Sequence, residues 1–258
     1  MLVATGSAAT AIGLAERDGG RGRVELPSSD ASLPSLPAPP ASALVVPAPR
    51  ALPRYRESAQ IATVLRPAFV RDRLGPKAAV VARLETRTPE GTSNLVPVVG
   101  RAKDRTGALW VRVRLPARSS DAAGWVPRHA LGVYRILRTR LEIDLDRFTA
   151  RLLDGGREVF RARVGIGKPA SPTPRGSFYV RSKLTGYSSP FYGPLAFGTS
   201  ARSSVLTDWP AGGYVGIHGT SRPELLPGRV SHGCIRMRNA DIVRLARLMP
   251  VGTPVTIR

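Results

Sequence analysis

The sequence predicts a mainly β protein with one short helix near its C-terminus. Strand-length runs of alternating apolar and polar residues begin near Ser58 and recur to the end of the chain. Clusters of Gly, Pro, Asp and Ser punctuate them. Only the stretch from Asn239 to Met249 repeats its apolar residues at helical spacing. A length of 258 residues allows one large domain or two modest ones plus a tail, and 42% apolar content supports a real core in part of it.

Leu2 to Ala15 carries no charge and is only weakly apolar. It is too short for a membrane span and is expected to be a clipped export signal without its positive start. A plain tail is the other reading. Leu26 to Pro53 is dense in Pro, Ala and Ser and lacks an amphipathic period, so residues 1–56 are expected to be that remnant plus an extended linker. Residues 57–132 read as a β-rich module with runs at Ala78 to Ala82, Leu95 to Val99 and Leu109 to Leu115. In the last run Arg112 and Arg114 face away from Val111, Val113 and Leu115, as a half-buried strand requires.

Residues 133–258 are the best-patterned part. Leu141 to Leu145 alternates strictly, and Phe148 to Leu153 and Arg157 to Val164 flank Asp154-Gly155-Gly156, a hairpin signal. Gly176 to Lys183 and Gly213 to His218 continue as strands. Asn239 is the expected N-cap of the helix, and Asp241 suits the positive end of its dipole. Ile242, Leu245, Ala246 and Met249 form its inner face; Pro250 and Gly252 stop it, and Pro254 to Arg258 reads as a closing strand.

The net charge of +21 rests almost wholly on arginine, since lysine occurs only at Lys77, Lys103, Lys168 and Lys183. Such a surplus suits an anionic partner or surface. No basic region with interleaved aromatics, zinc-finger pattern or helix-turn-helix accompanies it, which argues against a specific nucleic-acid partner.

Cys234 is the sole cysteine, so an intramolecular disulfide is excluded. It lies in Ser231-His232-Gly233-Cys234-Ile235-Arg236-Met237, and His218 stands sixteen residues upstream in Gly216-Ile217-His218-Gly219-Thr220. A free thiol with a pKa near 8.5 is only about 3% ionised at pH 7. An imidazole that takes its proton makes it a nucleophile for acyl transfer. A lone cysteine is more often a small buried hydrophobe, but the tight polar turn before this one argues otherwise. Zinc on His218, His232 and Cys234 would need an unusually short chelate and finds no fourth ligand in the pattern, so no metal or cofactor is expected. Gly165-Ile166-Gly167-Lys168-Pro169 is not a phosphate loop, because Pro169 replaces the Ser or Thr and Ala162 the first Gly.

His218-Gly219-Thr220, Ser231 to Arg236, and the upstream Thr173-Pro174-Arg175-Gly176 with Phe178 together resemble the L,D-transpeptidases of the YkuD type, enzymes of bacterial peptidoglycan. The resemblance covers roughly residues 138 to 258 and implies a YkuD-type β-sandwich catalytic domain for 133–258. Gly124-Trp125-Val126-Pro127, following the strand that begins at Trp110, resembles bacterial SH3-like barrels and implies a small SH3-like β-barrel for 57–132.

Carried over to this chain, the transpeptidase resemblance implies Cys234 as nucleophile and His218 as general base, oriented by a backbone carbonyl such as that of Gly219. His232 is the alternative base. Gly219, Thr220, Ser231, His232, Gly233 and Arg236 are implied as supporting or substrate-binding residues, with N–H groups around Gly233 and Cys234 as oxyanion donors. The implied reaction releases D-Ala from a tetrapeptide stem, leaves a Cys thioester and forms a 3→3 crosslink with a second stem. Water as acceptor would give L,D-carboxypeptidase activity, and a non-catalytic wall-binding protein is the reading from a different class. The implied partners are peptidoglycan tetrapeptide stems and anionic wall polymers. The expected location is extracytoplasmic, with a membrane tether at a longer N-terminus.

Overall fold

The computed structural model describes residues 58–116, 122–186, 190–203, 205 and 213–258, all within one compact unit spanning Ala51–Arg258. The expected signal remnant and linker at 1–56 lie outside the described residues.

The first sheet comprises β1 (Ala59–Val64), β2 (Ala68–Arg71), β3 (Val80–Leu84), β4 (Leu95–Lys103), β5 (Leu109–Arg114), β6 (Ala123–Pro127) and β7 (Leu131–Leu137). Their order is β3-β2-β6-β5-β4-β1-β7, with antiparallel neighbours throughout. Val111 and Val113 of β5 are buried and Arg112 is exposed, as the alternation predicts; Ala62, Val64, Val70, Leu84, Val96, Val126 and Leu131 complete the core. Asp104 sets the β4–β5 turn. Its carboxylate accepts hydrogen bonds from the Thr106 and Ala108 amides and from Trp110 Nε1 (2.9, 3.1 and 2.8 Å). The sequence pattern did not single out β1 or β2. β7 crosses the expected boundary at 132/133, and its pairing with β1 carries the first sheet to Leu137.

The second sheet comprises β8 (Thr139–Asp144), β9 (Thr149–Asp154), β10 (Arg157–Arg163), β11 (Gly165–Gly167), β12 (Gly176–Thr185), β13 (Leu195–Arg202), β14 (Tyr214–His218), β15 (Gly228–Ser231), β16 (Ile235–Arg236) and β17 (Pro254–Ile257). Their order is β10-β9-β8-β17-β12-β13-β14-β16-β11-β15. The two ends of β12 have different partners: Gly176 to Tyr179 pair with β17, and Val180 to Thr185 with β13. This change of partner lets two wings of strands enclose one apolar core, as expected for the YkuD-type architecture.

The β9–β10 hairpin forms as predicted. Gly155 and Gly156, at φ 55° and 84°, are the two positive-φ residues that a tight two-residue turn requires. Helix α1 (Asn239–Leu248) buries Ile242, Leu245 and Ala246 against the sheet, and Lys183 Nζ donates to the Ala246 carbonyl at 2.8 Å near the helix C-terminus. The expected N-cap is corrected. Arg238 occupies that position without a side-chain cap bond, while Asn239 is already helical and its Oδ1 accepts from the Thr220 amide at 2.9 Å.

Candidate active site

Strand alternation and one parallel pairing build the site. Along β14, Val215 and Ile217 point into the core, so Tyr214, Gly216 and His218 share the opposite face. β16 lies parallel to β14 with Ile217 beside Ile235 and His218 beside Arg236, which brings Cys234, just before β16, level with Gly216. The Gly216 amide lies 3.4 Å from Cys234 Sγ. A Cβ at Gly216 would sit 3.7 Å from His218 Cδ2 and 3.8 Å from Sγ, so imidazole and thiol flank one small space. The structure thus brings together the two residues that the sequence selected.

His218 is buried, and its Nδ1 lies 2.6 Å from the Gly219 carbonyl. A carbonyl only accepts, so Nδ1 carries the proton and Nε2 keeps its lone pair. Burial lowers the imidazole pKa to about 4; the Gly219 bond opposes this and the Arg236 guanidinium reinforces it. Burial pushes the Cys234 thiol up, against the pull of the Gly216 amide and Arg236. Both shifts favour a neutral thiol and a neutral imidazole over an ion pair.

The loop before the thiol is fixed by hydroxyls. Ser231 Oγ donates to the Cys234 carbonyl (2.6 Å) and accepts from the Gly233 amide (3.1 Å). Gly233 adopts φ 117°, a conformation that disfavours any side chain. The expected oxyanion role of its amide is corrected: that N–H is taken by Ser231, which leaves the Cys234 amide as the donor candidate. Thr173 Oγ1 accepts from the Gly167 amide and donates to the Gly233 carbonyl, both at 2.9 Å. The Thr-Pro element is thereby bound directly to the cysteine loop.

The remaining expected residues divide. Gly219 acts through its carbonyl and its smallness, because a Cβ there would lie 2.3 Å from Asn239 Oδ1 and 3.1 Å from Gly193 Cα. Thr220 is buried and anchored to Asn239. Arg236 is buried with its guanidinium 4.8 Å from the Phe191 ring centroid. His232 is exposed, whereas His218 is buried. Tyr192 was missed by the sequence reading. Its ring meets His218 edge-on, with centroids 4.8 Å apart, and its hydroxyl pKa is raised by burial and by the Cys234 charge. It comes from the turn Pro190–Tyr192, and no local motif marks it. Among the described residues no group of His, Cys, Asp and Glu is arranged to hold a metal ion.

The chain is similar to known proteins over this region. Residues 138–257 match the family model of the YkuD L,D-transpeptidase catalytic domain. The chain is 34% identical over 118 residues to the YkuD protein of Bacillus licheniformis, covering 46% of this chain and 64% of that one. It is 36% identical over 94 residues to YkuD of Bacillus subtilis, covering 36% and 50%. The chain thus spans about half to two thirds of the length of these relatives. Among solved structures, the catalytic domain of an E. faecium L,D-transpeptidase is 28% identical, with 46% of this chain and 96% of that chain covered and a TM-score of 0.35. Residues 138–257 are thus similar along their whole length to the YkuD L,D-transpeptidase catalytic domain.

Proposed function

We propose that this protein is a peptidoglycan L,D-transpeptidase that forms 3→3 crosslinks through a Cys234 thioester. The observation that carries the reading is the shared space at Gly216, bordered by the thiol of Cys234 and by an imidazole whose Nδ1 is held by the Gly219 carbonyl. The family match of residues 138–257 supports the reaction class.

A neutral pair couples proton transfer to attack. Cys234 Sγ attacks the carbonyl that joins the third residue of a tetrapeptide stem to its terminal D-Ala, and the thiol proton passes to His218 Nε2. The developing oxyanion accepts a hydrogen bond from the Cys234 amide. As the C–N bond breaks, His218 returns the proton to the leaving D-Ala amine and a thioester remains. The side-chain amine of a second stem then attacks the thioester and gives its proton to His218. Collapse forms the new amide and expels the thiolate, which regains the proton. Tyr192 excludes water from one side of the imidazole. The chain's large positive charge suits an anionic wall and an extracytoplasmic location.

Intact-mass measurement after exposure to a disaccharide-tetrapeptide, and separately to a carbapenem, tests the proposal. The expected products are a covalent adduct on Cys234, D-Ala release and stem dimer, all absent from Cys234→Ala. Dimer formation by Cys234→Ala would refute the nucleophile assignment.

A further inference from the structure

A cavity of about 800 Å³ opens between the two sheets, and neither Cys234 nor His218 lines it. Val81, Arg83 and Arg87 line it from the first sheet and its loops together with the carboxylates Asp72 and Glu85, Arg83 being paired with Glu85, and Arg181 and Tyr214 line it from the second. Arg181 is only 2% exposed. Its Nη2 donates to Glu90 at 2.9 Å, its guanidinium stacks 3.7 Å from the Tyr214 ring centroid, and its buried Nη1 has no hydrogen-bond partner. On the same ring lies a second guanidinium, Arg202, at 4.7 Å, whose buried Nε is likewise without a partner.

Two guanidiniums therefore share the Tyr214 ring, and Glu90 holds one of them, Arg181. A buried guanidinium with an unused donor is costly unless something supplies an acceptor. A carboxylate satisfies a guanidinium donor best, because charge and planar geometry both match. The cavity volume is that of a peptide-sized ligand rather than a single ion, and Val81 and Leu115 offer it apolar wall. Tyr214 also lies on β14, four residues before His218 and on the same face. At strand rise that separation is about 13 Å, or three to four residues of extended peptide.

We propose that this cavity is a recognition subsite for a carboxylate on the stem peptide, anchored by Arg181. The inference rests on the transpeptidase reading, since it takes the stem as ligand. It gives the first sheet a share in substrate selection: β3 forms a wall and Glu90 holds the anchoring arginine in place.

Two measurements separate this subsite from the chemistry. Calorimetric titration of the tetrapeptide stem into the full chain carrying Cys234→Ala reads binding without turnover. Val81→Glu places a carboxylate on an exposed position of the cavity wall and is expected to weaken binding about tenfold. The double variant Arg181→Gln/Glu90→Gln removes the anchor and its partner together, leaving no orphaned carboxylate, and is expected to do the same. A stem with its carboxylates converted to carboxamides is expected to bind the Cys234→Ala chain weakly and to be indifferent to both changes. Equal stem affinity in the parent and Val81→Glu chains would overturn the subsite. The rate of carbapenem acylation of Cys234, measured in Val81→Glu with the thiol restored, is expected to match the parent. Acylation absent from the parent would instead refute the transpeptidase reading, while the titration would still decide the cavity.

Discussion

The two sheets bury different things. The first is filled by valines, leucine and alanine, and among its described residues Thr88 is the one fully buried polar side chain. The second buries Thr173, Arg181, Ser182, Thr199, Ser200, His218, Thr220, Ser231, Arg236 and Thr253 beside its apolar core. Polar burial is costly unless each group finds a partner, so its concentration in one sheet marks where the fold serves chemistry as well as packing. The first sheet is specified by volume, the second also by hydrogen bonds.

Removing the base gives the largest expected effect. His218→Ala should lower the Cys234 acylation rate by about 10²- to 10⁴-fold in stopped-flow or mass-based assays, while circular dichroism shows a folded domain. A surviving rate within tenfold of the parent would place the base elsewhere. Core truncation compares the sheets on equal terms. Leu131→Ala in the first and Leu245→Ala in the second should each cost about 2–5 kcal/mol in urea unfolding, and a much smaller loss at Leu131 would break the claim that volume specifies the first sheet.

Acid should single out the second sheet. His218 has a folded pKa of about 4 against an ordinary 6.5, so the unfolded chain binds the extra proton between those values. Stability from this group is complete above about pH 6.5, falls as the pH drops towards 4, and the loss amounts to about 3 kcal/mol below that. Unfolding midpoints from pH 7 to 4 should show that loss in the parent and not in His218→Asn. Thr173→Val removes the hydroxyl that joins the Gly167 amide to the Gly233 carbonyl, and should cost about 1–3 kcal/mol with a parallel drop in acylation. His232→Ala, at an exposed position, should change acylation by no more than about twofold. A larger fall would return His232 to the list of bases.

Much of this was legible where neighbours in sequence decide the outcome. Asp154-Gly155-Gly156 specifies its own turn, the alternation in β5 specifies its buried face, and Ile242, Leu245 and Ala246 specify the inner face of α1. The Cys234–His218 pairing was readable because both residues lie in motifs of one family. Partners distant in sequence were not. Asn239 has the residue type of a cap, and nothing local tells it to bond Thr220 instead. The Gly233 amide looked like a free donor until the fold turned Ser231 Oγ towards it. Tyr192 and the Glu90–Arg181 contact each depend on chain segments that meet only after the sheets have formed.

The Thr173 hydroxyl ties three stretches of chain, at Gly167, Thr173 and Gly233, into one knot. That knot makes the sulfur's setting a property of three segments at once. Until all three stretches have arrived, the loop bearing Cys234 lacks its frame, and the residue is an ordinary thiol with ordinary reactivity. Nucleophilic competence thus depends on stretches of chain some sixty residues apart being in place together.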